Sequence, residues 1–209
     1  MTDIVEYRLV LPTPWERIDL HSDITAQSRR VVRQAVDRLP KGSIAPDRLT
    51  LTRARMEREL ESRLLEAKDK GGVDYYLPTD LMHGVHLPAT FTVSRLMPDA
   101  LADEEVTARV LAVRLAEPGT TAEQLGDSIW ARTDTVLVRQ PDELVADEHR
   151  LRKVEYLTPV PGDPRCWVMV TFTSFGDGTM DSEFTDLTVS LFDAIMSTWR
   201  WVGAPPPES

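Results

Sequence analysis

Four histidines and one cysteine set the limits on nucleophilic and metal chemistry in this 209-residue chain. His83 and His86 are the closest pair, three residues apart around Gly84, with Asp80 just before them. A structural or catalytic metal needs three or four converging ligands, and His-Gly-Val-His matches no zinc spacing. The pair reads instead as a loop-surface feature, and Asp80, His83 and His86 are the candidate partner-binding residues. Cys166 precedes Trp167 in a strongly apolar run. A nucleophilic thiol requires a lowered pKa and a base within reach. His149 is near in sequence, but nothing in the spacing holds it there, so Cys166 reads as a small core side chain. No catalytic residue is assigned.

The stretch GDGTMDSEF, residues 176–184, precedes a helical pattern but lacks the lysine of a phosphate loop. Its carboxylates, Asp177, Asp181 and Glu183, are of the type that attracts a divalent cation, yet their spacing fits no calcium loop. An ordinary helix cap at Asp181 or Ser182 accounts for them. There is no G-x-S-x-G elbow, no H-E-x-x-H and no dinucleotide fingerprint. The reading is of a non-enzymatic protein with no cofactor and no metal.

Several elements position these residues. Val5, Tyr7, Leu9 and Leu11 alternate as a strand, broken at Pro12 and Pro14; Trp15, Ile18 and Leu20 form a second short extended piece. Ser22 or Asp23 caps a helix through Val31, Val32 and Val36 to Leu39. Asp47 is expected to cap a second helix over Arg48–Lys70, whose charges form a solvated face, with Gly71-Gly72 ending it. Residues 73–77 and 89–96 read as strands able to pair across the Pro78–Pro88 connection. A third helix, capped by Asp103 or the residues just before it, runs through Val106–Leu115. A hairpin turns at Gly126-Asp127, followed by strands over 152–160 and 166–175, the second fairly apolar on both faces and therefore central. A last helix starts near Ser182, with Phe184, Leu187, Leu191, Phe192, Ile195 and Trp199 as its stripe. The fold class is mixed α/β (α+β): a single-domain sandwich over residues 1–203, with a mainly antiparallel central sheet covered by helices. Residues 204–209 read as a disordered Pro-rich tail.

The chain carries 24 basic and 34 acidic residues, for a formal net charge of −10. That balance disfavours nucleic acid and anionic membrane as partners and suits a basic protein. No basic n-region opens the chain, and no segment approaches a bilayer-spanning apolar length. With a single cysteine, these features predict a cytoplasmic protein without membrane insertion.

Two resemblances follow from the residues above. The early LPTPW stretch, the strand pairs and the closing FTDLTVSLFDAIMSTWRW resemble the Mog1/PsbP-like α/β/α sandwich. LPTPWERIDL, GGVDYYLPTDLMHGVHLPATFTVS, VEYLTPVPGDPRCWVMVTFTS and STWRW resemble small actinobacterial proteins encoded beside type VII (ESX-like) secretion components. That resemblance implies an accessory or chaperone-like factor that binds another protein, basic or secreted, with a homo-oligomer possible. The alternatives are an immunity-type inhibitor of a neighbouring toxin, or a small-molecule-binding domain or enzyme without a recognisable motif.

Overall fold

A computed structural model of the chain describes residues 6–39, 43, 45–97, 104–139, 149–174 and 182–203. The expected cap at Asp103, the cation candidates Asp177 and Asp181, and the tail at 204–209 lie outside the described residues. The class is mixed α/β with antiparallel strands, as the periodicities predict. The chain gathers into two compact units, Thr13–Ser94 and Met1–Pro12 with Arg95–Ser209.

In the Thr13–Ser94 unit, strands β2 (Trp15–Asp19), β3 (Gly72–Pro78) and β4 (Ala89–Leu96) run antiparallel in that order, with Ile18 opposite Tyr75 and Tyr76 opposite Phe91. Helices α1 (Ile24–Arg38) and α2 (Pro46–Asp69) pack against each other. Ile18, Leu20, Ile24, Val31, Leu64 and Tyr75 form one buried cluster. The Asp23 carboxylate caps α1 by accepting from Ala26 N–H at 2.9 Å, an interaction worth about 1 kcal/mol. The expected cap at Asp47 is not used. Ala45 holds the N-cap position without a side-chain bond, and Pro46 opens the helix. Proline has no N–H to leave unpaired there, and Asp47 sits in the first turn where the helix dipole favours it. Gly71 ends α2 with φ +83°, a value glycine adopts without a Cβ clash.

In the other unit, β5 (Thr120–Leu125), β6 (Ser128–Arg139), β7 (His149–Val160) and β8 (Asp163–Ser174) form an antiparallel meander. The register places Trp130, Arg132, Asp134, Tyr156, Val170 and Phe172 on one face, which α4 (Glu183–Ser197) covers: Phe192 stacks on Phe172 at 4.6 Å. Helix α3 (Glu104–Leu115) contacts β5, β6 and β8. It reaches the opposite face, where Arg114 pairs with Glu155 at 3.7 Å. β1 (Glu6–Arg8) pairs with β9 (Arg200–Val202), a closure between chain ends that the sequence pattern does not announce.

The stripe of α4 differs from the predicted one. Leu187 is exposed, whereas Thr185, Thr188, Val189, Phe192, Ile195 and Met196 are buried. The Thr188 hydroxyl donates to the Phe184 carbonyl at 2.7 Å, so this polar side chain enters the core already satisfied. The helix stops at Ser197, and Trp199 lies beyond it, fully buried against Tyr7 at 4.3 Å and Trp130 at 5.0 Å. Trp167 is buried in β8, as its two-sided strand predicts.

Candidate functional site

The Pro78–Pro88 connection is an ordered finger. Met82 and Val85 exchange two backbone bonds, N–H to carbonyl at 2.9 and 3.0 Å. Between them His83 and Gly84 have φ of +52° and +81°. Two successive left-handed residues are what a two-residue primed hairpin turn requires. Glycine takes that conformation freely; a histidine there is uncommon and is held by the paired bonds around it.

The base of the finger is fastened by polar contacts within its own unit. Thr79 donates both its N–H and its hydroxyl to the Pro14 carbonyl, at 2.9 and 2.8 Å. The Arg38 guanidinium at the end of α1 donates to the Thr79 carbonyl at 2.9 Å and lies 3.9 Å from the Asp80 carboxylate. Asp80 also accepts from Leu81 N–H at 2.7 Å. Behind the base, Trp15, Phe91 and Tyr76 form an aromatic stack, with Tyr76 and Phe91 at 4.3 Å.

Asp80, His83 and His86 therefore share one finger but have separate roles in it. Asp80 belongs to the base, and its bonds go to Leu81 and Arg38. His83 is the turn and His86 follows on the returning arm, both exposed. No group of three or more histidine, cysteine, aspartate or glutamate side chains able to hold a metal occurs among the described residues. Sequence reasoning missed the apolar part of the site. Leu81 is 55% exposed and Val85 48% exposed, one on each side of the turn, with Met82 half-buried between them. The signal was present in the apolar residues Leu81, Met82 and Val85 that flank His83 and Gly84 along LMHGVH.

A second apolar surface lies on α3. Ala108, Arg109, Val110, Ala112, Val113 and, just past the helix, Ala116 are exposed. Thr107 is buried and Arg114 half-buried. Beneath the meander's other face, a charge network ties α4 to the sheet. Arg132 donates from Nε and a terminal nitrogen to the Asp193 carboxylate at 3.0 and 2.9 Å, and the Tyr156 hydroxyl donates to Asp193 at 2.9 Å. Arg152 donates to Asp134 at 2.9 Å and reaches Asp186 at 3.5 Å. Burial pulls the Arg132 guanidinium down, but the bonds and charge of Asp193 outweigh it and leave its pKa above the ordinary value. Burial, and then the Asp193 charge, push the Tyr156 hydroxyl well above the usual tyrosine range. Every carboxylate in this network is answered by an arginine, which suits anchoring rather than acid–base catalysis. Cys166 is half-buried at the start of β8, and burial pushes its thiol up, opposite to the shift that activates a nucleophile.

No protein-family model matches the chain, and no curated protein matches it closely enough to count as a relative. Among the described residues, no helix is long and apolar enough to cross a membrane.

Proposed function

We propose that this protein is a non-enzymatic accessory factor that binds another protein, with the Leu81–Val85 finger as its contact element. The observation that carries this reading is the exposure of Leu81 and Val85 on a turn that is fully hydrogen-bonded and pinned at its base. Two apolar side chains stand in water on either side of a turn closed by paired backbone bonds, and that grouping supports reading the turn as a contact surface. The turn is pre-organised, so little conformational freedom is lost when a partner closes over it. An association with type VII secretion, with a chaperone-like role toward a secreted client, is the physiological setting we propose from the resemblance of the finger and its flanks.

A second reading, masking of a basic partner such as a toxin, is favoured by the charge distribution. The Thr13–Ser94 unit holds 13 basic and 12 acidic residues, whereas the other holds 11 and 22, so the acidity is concentrated in the second unit. Electrostatic complementarity of that kind speeds association and selects basic partners.

The test compares the wild-type chain with a Leu81→Ser/Val85→Ser variant as bait, using cross-linking and mass spectrometry in cells of the native host. A partner retained by wild type and lost by the variant is the expected result. Equal capture by both, or none by either, would refute the finger as the contact element. Capture that survives in the variant but collapses in high salt would favour the electrostatic reading.

A further inference from the structure

We draw no further inference here: the strongest candidate, the open edge of β6 past Thr133, where the bond from Asp134 N–H to the Gly119 carbonyl sets an alternation that turns the backbone groups of Val136 and Val138 away from β7, carries nothing because no feature of the described residues shows what covers it.

Discussion

Replacing Asp193 by alanine tests what holds α4 to the meander. The carboxylate accepts two bonds from Arg132 and one from Tyr156, at 3.0, 2.9 and 2.9 Å. Its removal strands a half-buried guanidinium and a buried phenol hydroxyl. Breaking a fully buried pair by deleting one partner costs about 3–5 kcal/mol. Here the Asp193 side chain is 35% exposed, so water replaces part of what is lost, and Arg132 keeps Asp134 at 3.5 Å. The expected cost is therefore nearer the value for charged hydrogen bonds, about 2–3 kcal/mol. Asp193→Asn, which keeps an acceptor, should cost less. Arg132→Met with Asp193→Leu should recover most of the loss, because neither charge is then left unpaired. Urea denaturation followed by tryptophan fluorescence measures these differences through the midpoint at constant slope. An Asp193→Ala variant within about 0.5 kcal/mol of wild type, or a double variant less stable than the single one, would refute this account.

Gly72→Ala should destabilise by about 1–3 kcal/mol, because an added Cβ would sit 2.6 Å from the Ala67 carbonyl oxygen and 2.8 Å from Leu20 Cδ1; thermal melts followed by circular dichroism check it. Trp167→Ala should cost about 3–5 kcal/mol or prevent folding, since the indole is buried; a folded variant that had lost only partner binding would contradict the packing role. Tyr156 should remain protonated well above the pH at which an exposed tyrosine ionises. Its folded-state pKa is raised, so its contribution to stability is intact below the unfolded value near 10 and is lost as pH rises beyond it. Alkaline denaturation of Tyr156→Phe should start from a lower baseline but show a shallower fall across that range.

Legibility in the sequence followed the range of the interactions. A cap at Ser22 or Asp23 before a period of 3.6 residues predicted α1, alternation predicted β3 and β4, and the Gly126-Asp127 turn predicted the β5–β6 hairpin, because backbone hydrogen bonding and side-chain periodicity act locally. Boundaries drifted where a neighbour extended an element: β6 and β7 run longer than their own patterns suggest because they pair with each other from Ala131–Leu157 out to Arg139–His149. The finger was foreseen as a connection carrying Asp80, His83 and His86. Its turn type was not, because histidine in a left-handed conformation is an uncommon choice that tertiary bonds at Thr79 and Arg38 support.

Composition and pattern by themselves determined the mixed α/β class, the antiparallel hairpins and the aromatic weight of the C-terminal stretch. Only the tertiary structure decided where Trp199 and Trp201 go. The β1–β9 pairing brings Tyr7 onto Trp199 and places Trp201 over Trp130, its indole N–H donating to Ser128 at 2.9 Å. It also decided which face of α4 is buried, because the charges on the sheet at Arg132 and Arg152 draw Asp193 and Asp186 toward them and turn Leu187 outward. Such pairings join residues far apart in the chain, and no local periodicity encodes them.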